Sequence, residues 1–180
     1  KKRPLDLLQA FLKAHLSEAS LLFVGSGELA GEIQKQAQAS GNPHIYFAPF
    51  QNQSQMPRTY ATGDVMVLPS YGSGETWGLA VNEAMCLARP VIVSDHVGCA
   101  ADLVKPGENG LIFSAGDVDV LADCLKQAVC GNRQQLVEWG KLGQQVIRRY
   151  SYYYATEGLL KALSDQMGHQ KSRALQSFPS

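Results

Sequence analysis

Two carboxylates flank seven residues in Glu75-Thr-Trp-Gly-Leu-Ala-Val-Asn-Glu83, just after the apolar run Val65-Met-Val-Leu68 and at the start of a helical pattern. Taken singly, each has a plain structural role: a carboxylate ahead of a helix complements its dipole, and a Glu within a helix is usually a solvated face. Together they set hydrogen-bond acceptors beside a helix N-terminus, an arrangement suited to a polyhydroxylated, phosphorylated ligand. Ser70-Tyr-Gly-Ser-Gly74 adds a small-residue loop at the carboxyl end of a strand, where ligands of open α/β sheets bind. Backbone N–H groups from Thr76 to Leu79 would donate to a phosphate there.

A second Gly-rich turn, Gly25-x-Gly27-x-x-Ala30, has the local form of a dinucleotide fingerprint. That fingerprint also needs an acidic residue about 20 positions on to hold a ribose. Ala48-Pro-Phe-Gln-Asn-Gln53 contains none, so the glycines read as a tight strand-to-helix turn. The four cysteines, Cys86, Cys99, Cys124 and Cys130, form no Cys-x-x-Cys pair and no regular metal spacing with histidine. They read as buried or indifferent thiols in a reducing compartment.

The elements that must position these groups alternate along the chain. Leu5, Leu8, Phe11, Leu12 and Leu16 recur at helical spacing, and Leu21-Leu-Phe-Val24 reads as a short buried strand. A helix over 28–39, a strand at Ile45-Tyr-Phe47, a short helix over 53–61, a strand over 65–68, a helix over 79–87 and a strand at Val91-Ile-Val93 follow. A short helix over 100–104, the turn Pro106-Gly-Glu-Asn-Gly110 and a strand at Gly110-Leu-Ile-Phe113 complete the alternating part. Helices are expected over 117–130, 132–149 and about 152–166. Near-continuous apolar strands separated by helices predict an α/β fold, a doubly wound Rossmann-like parallel sheet with helices on both faces. Residues 1–166 form the expected domain, and 167–180 a polar, disordered tail. The pattern opens on a helix where a doubly wound half normally opens with its central strand, so the first strand is expected to be missing.

The 180 residues, 45% of them apolar, suffice for one domain or for half of a two-domain protein. Sixteen basic residues balance sixteen acidic ones, leaving no global field to attract nucleic acid. No apolar stretch reaches the roughly 20 residues of a membrane span. The expected location is the cytoplasm, with peripheral membrane attachment of the intact protein left open.

Pro69-Ser70, the Glu75–Glu83 stretch, Glu83-Ala-Met85 and Arg89-Pro-Val-Ile-Val-Ser94 resemble the nucleotide-sugar half of a retaining glycosyltransferase of family 4, the C-terminal half of a GT-B fold. Val24-Gly-Ser-Gly27, Asp64-Val-Met-Val-Leu-Pro-Ser70, Val97-Gly98 with Asp102, the 106–113 stretch and Tyr150-Ser151 extend the resemblance over residues 1 to about 165. It implies that Glu75 contacts hydroxyls of a donor sugar and Glu83 the ribose of its nucleotide. Gly78 and Leu79, with Thr76 and Trp77 beside them, would serve the diphosphate. Lys2 would neutralise that diphosphate as it leaves, and Ala48 to Phe50 would lie beside the base. The implied reaction moves a hexosyl group from a nucleotide diphosphate sugar to an acceptor in carbohydrate biosynthesis, with no cofactor and no required metal. The implied partner is an N-terminal acceptor-binding domain; without it these 180 residues are expected to be inactive and to self-associate through the last helix.

The chain also departs from the family pattern. The loop between Ser70 and Glu75 is longer than usual. Ala88 stands where the family usually has Gly, and Cys99, Ala101 and Asp102 replace its common Gly, Pro and Glu; all four read as tolerable packing changes. Two other functions remain open: a non-catalytic nucleotide-sugar-binding or scaffold module, and a phosphate-transferring or epimerising sugar-nucleotide enzyme of the same architecture.

Overall fold

A computed structural model describes residues 1–176, and the side chains of residues 1–165. Thirteen elements run in the order α1 (Pro4–Ala14), β1 (Leu21–Val24), α2 (Ala30–Ala39), β2 (Ile45–Ala48), α3 (Met56–Thr62), β3 (Met66–Leu68), α4 (Leu79–Cys86), β4 (Val91–Ser94), α5 (Ala100–Leu103), β5 (Gly110–Phe113), α6 (Val118–Cys130), α7 (Arg133–Ile147) and α8 (Tyr152–Gln176). Their local signals are ordinary ones. Pro4 occupies the first turn of α1 at no hydrogen-bond cost, and the Asp117 carboxylate accepts from the N–H groups of Asp119 and Val120 at the start of α6.

Every strand pair is parallel, but the strands form two sheets rather than one. β1 pairs with β2, and β3, β4 and β5 pair in that order. The expected continuous sheet is therefore divided, because none of the described strands pairs with the second edge of β1 or of β3. A cavity of about 810 Å³ separates them, lined by Leu21, Leu22 and Val24 of β1 and Met66, Val67 and Leu68 of β3.

Side-chain alternation along the strands assigns the two faces. Ile92, Leu111 and Phe113 join α1, α2 and α6 in one apolar cluster, while Val91 and Val93 join α4 and α5 in the other. β4 is buried at all four positions, which is why its sequence reads as a continuous apolar run. No described helix is long and apolar enough to cross a membrane.

Three expectations change. α3 begins at Met56 rather than near 53, because the Asn52 side chain accepts from Gln55 N–H and holds residues 52–55 in a turn. α8 runs on to Gln176 where the composition predicts a polar tail from 167, and residues 177–180 lie outside the described residues. Ala88 departs from the family pattern in backbone rather than in packing: its φ is +53°, a left-handed conformation that glycine adopts freely and alanine does not.

Candidate functional site

The loop between β3 and α4 carries the site, and its shape depends on two close backbone approaches. Gly78 precedes α4 with φ +97°, and a Cβ there would lie 2.7 Å from Val97 Cγ1. Across from it, a Cβ on Gly98 would lie 2.0 Å from Thr76 O. Both positions require glycine. Gly98 N–H donates to Glu75 O at 3.0 Å, and Cys99 N–H to Trp77 O at 2.8 Å, so residues 75–77 are laced to the loop after β4. No side chain caps the α4 N-terminus; Val81 N–H donates to Gly78 O at 2.8 Å, and the N–H groups of Leu79 and Ala80 are left to water or to a ligand.

Glu75 is buried, and its Oε2 accepts from the Lys2 ammonium and, at 3.1 Å, from Ser70 Oγ. Burial by itself pushes the carboxyl pKa up. The Lys2 contact, the Ser70 hydroxyl and the charge of Lys1 outweigh it and hold the group below the ordinary carboxylate range. The carboxylate is therefore ionised at neutral pH and acts as an acceptor, not as an acid. The Ser70 carbonyl is fixed in turn by the Ser94 hydroxyl at the end of β4.

The loop ahead of Glu75 is tied to the start of the chain. Tyr71 N–H donates to Lys1 O at 2.9 Å, the Arg3 guanidinium lies 5.5 Å from the centre of the Tyr71 ring, and Gly72 N–H donates to His96 Nδ1 at 2.9 Å. With Nδ1 accepting, the proton of neutral His96 sits on Nε2. These ties bring Lys2 to Glu75, a pairing that the resemblance, which gives Lys2 to a diphosphate, does not itself contain.

The remaining residues singled out in the sequence take different positions. Leu79, the first residue of α4, is exposed, and Thr76 is exposed beside it. Trp77 is half-buried, with its indole N–H donating to Asn82 Oδ1 at 2.9 Å and its ring 5.9 Å from that of Tyr150, so it supports the loop from behind. Glu83 is half-buried on α4 and accepts from the Tyr60 hydroxyl at 2.8 Å. Phe50 is exposed on the segment between β2 and α3. Sequence reasoning missed Tyr60 and His96, since neither has a spacing relationship to the groups it serves. Among the described residues, no three His, Cys, Asp or Glu side chains are grouped to hold a metal ion.

The model of the family described as "Glycosyl transferases group 1" matches residues 1–146. The chain belongs to this family. A sulfoquinovosyl transferase of Arabidopsis thaliana is 29% identical to this group 1 glycosyltransferase chain over 160 residues, covering 86% of the chain and 29% of the relative. The chain thus spans under a third of that relative's length. Among solved structures, the HepE protein of Anabaena in complex with UDP and glucose superposes with a TM-score of 0.77 at 20% identity, covering 91% of this chain and 45% of that one. The C-terminal domain of a group 1 glycosyltransferase family protein from Francisella tularensis superposes with a TM-score of 0.73 at 19% identity, covering 84% and 80%. The parallel sheets with helices on both sides match the Rossmann-like fold of these GT-B neighbours.

Proposed function

We propose that this chain is the donor-binding, C-terminal half of a retaining glycosyltransferase of family 4, which moves a hexosyl group from a nucleotide diphosphate sugar to an acceptor without a required metal. The observation that carries the proposal is the Lys2–Glu75–Ser70 cluster, a buried, ionised carboxylate beside the uncapped N-terminus of α4. The UDP and glucose held by the Anabaena neighbour support the donor class.

In this reading the N–H groups of Gly78 and Leu79 donate to the diphosphate, where the α4 dipole favours negative charge. Glu75, kept ionised by Lys2, accepts from donor-sugar hydroxyls and positions the sugar without taking a proton from the reacting bond. Lys2 stands at the same place to offset the charge that grows on the departing diphosphate. Glu83 takes the ribose hydroxyls, and the segment of Ala48 to Phe50 lies beside the base. The acceptor is held by a further half outside this chain. The small share of the Arabidopsis relative that the chain spans, the match to a C-terminal domain, and the exposed Leu159, Leu160 and Leu163 of α8 support that part.

The test is transfer of radiolabelled hexose by the intact enzyme, with the anomeric configuration of the product read by proton NMR. Glu75→Ala is expected to lower turnover by on the order of 100-fold, since misplacing a bound substrate by about 1 Å costs that much. Unchanged turnover would sink the assigned role, and an inverted product would sink retention. Nucleotide binding without any transfer by the intact protein would establish the non-catalytic module instead. The 180 residues alone are expected to bind nucleotide weakly and to transfer nothing.

A further inference from the structure

Glu83 is held by a residue from a different helix. The Tyr60 hydroxyl on α3 donates to Glu83 Oε2 at 2.8 Å, across 23 positions of sequence. Tyr60 is half-buried and packs on the same apolar cluster as Val81, Ala84 and Met85 of α4, so its ring is fixed by the core that positions Glu83. Burial, and then the hydrogen bond to Glu83 and its charge, push the phenol pKa upward. The hydroxyl therefore stays protonated, and so remains a donor, at neutral pH and well above it. A carboxylate has two oxygens, and donation to Oε2 leaves Oε1 to accept from a ligand.

α3 is held by two further contacts, one beside Tyr60 and one at its start. Arg89 Nη2 donates to Ala61 O at 3.2 Å, which fastens the end of α3 to the turn between α4 and β4. At its start, the Asn52 side chain accepts from Gln55 N–H at 3.1 Å and from Ser54 Oγ at 2.7 Å. The segment from Pro49 to Gln53 thus leads directly into a helix that is pinned to α4 by a side chain touching Glu83.

We propose that Tyr60 is a positioning residue of the nucleoside subsite: it orients Glu83 so that Oε1 accepts from the vicinal hydroxyls of a ribonucleoside diphosphate, and it links that contact to the base-side segment. This rests on the donor-site reading above, and it adds a residue that the Glu-x7-Glu spacing does not contain. Without the Tyr60 hydroxyl, Glu83 loses the donor that restricts its rotamer, and the advantage of a ribose over a sugar lacking both hydroxyls shrinks.

The experiment is calorimetric titration of the intact protein with UDP, ADP and GDP and with their 2′,3′-dideoxy counterparts, for the native protein, Tyr60→Phe and Glu83→Gln, with circular dichroism to confirm that each variant is folded. The phenylalanine keeps the ring and its packing. For the nucleotide bound best, Tyr60→Phe is expected to weaken binding of the ribose form about 10-fold, the usual loss for one hydrogen bond to a charged group, and to leave the dideoxy form unchanged. A merely structural role would weaken both forms alike, and that result overturns the proposal. Retention of the full ribose preference by Tyr60→Phe, with its loss in Glu83→Gln, also overturns the Tyr60 role and leaves the donor-site reading standing. No ribose preference in the native protein, or no binding of any nucleotide, overturns both.

Discussion

Lys2 and Glu75, 73 residues apart in the chain, form an ion pair in which the carboxylate is buried and the lysine is half-exposed. The pair closes the first residues over the loop that follows β3, and the Ser70 hydroxyl shares the same carboxylate oxygen. Removing the lysine leaves a buried carboxylate with only the Ser70 hydroxyl and the more distant charge of Lys1 to hold it, which is less favourable than the pair itself.

The pH dependence follows from the depressed Glu75 pKa. A carboxyl held below its ordinary value of 4.5 contributes stability that is fully present above that value and is lost as pH falls through the lower, folded value. Thermal midpoints measured between about pH 7 and pH 3 should therefore fall more steeply for the native protein than for Glu75→Gln. In Lys2→Met, a carbon-13 NMR titration should place the Glu75 carboxyl higher than in the native protein, because burial then acts with less opposition.

At Ala88 the strain is local and removable. The left-handed conformation costs alanine about 1 to 2 kcal/mol, and glycine in its place recovers this while giving back about 0.4 to 1 kcal/mol through the greater freedom of the unfolded chain. Ala88→Gly should therefore raise stability by about 0.8 kcal/mol in urea unfolding. A loss of stability would show that the alanine methyl contributes packing that outweighs its backbone strain.

Gly98 has no such latitude. A Cβ at this position would meet the backbone O and C of Thr76 at 2.0 and 2.5 Å, and no rotamer change can move those atoms aside. Gly98→Ala should cost about 2 kcal/mol or more in stability and should weaken nucleotide binding in parallel, since the Thr76 backbone it would displace belongs to the loop that carries Glu75 and Gly78. Unfolding curves and calorimetry on one preparation would measure both effects.

Asn109 is almost completely buried, and its amide satisfies two backbone groups: Nδ2 donates to Leu103 O at 2.9 Å, and Oδ1 accepts from Lys105 N–H at 2.8 Å. It ties the end of α5 to the turn that feeds β5. Asn109→Ala strands both partners, at a cost of about 1 to 3 kcal/mol each where they stay dry. Chemical denaturation should show a clear loss, and hydrogen exchange should quicken first at Lys105 N–H.

The order and type of the elements were legible because their signals are local. β1 and β5 occupy the four-residue runs expected for them, since short apolar stretches enriched in β-branched and aromatic residues are cut off by glycine at one end or both. The start of α3 was not, because Asn52 competes with the helix for backbone hydrogen bonds and a periodicity cannot register that competition. The extent of α8 was masked for the opposite reason: residues 167–176 have no apolar period, yet Ala, Leu, Gln, Lys and Arg favour helix individually.

The candidate site divides along the same line. That Glu75 and Glu83 bracket the beginning of α4 is written in the order of residues alone, because seven intervening positions and a helical pattern place them whatever the rest of the chain does. That Lys2 reaches Glu75, that Tyr60 holds Glu83, and that the sheet is divided between β1 and β3 became known from the packed chain. Helix and strand patterns record interactions within a few residues, whereas these contacts exist only after the sheets have packed and brought distant side chains onto one face.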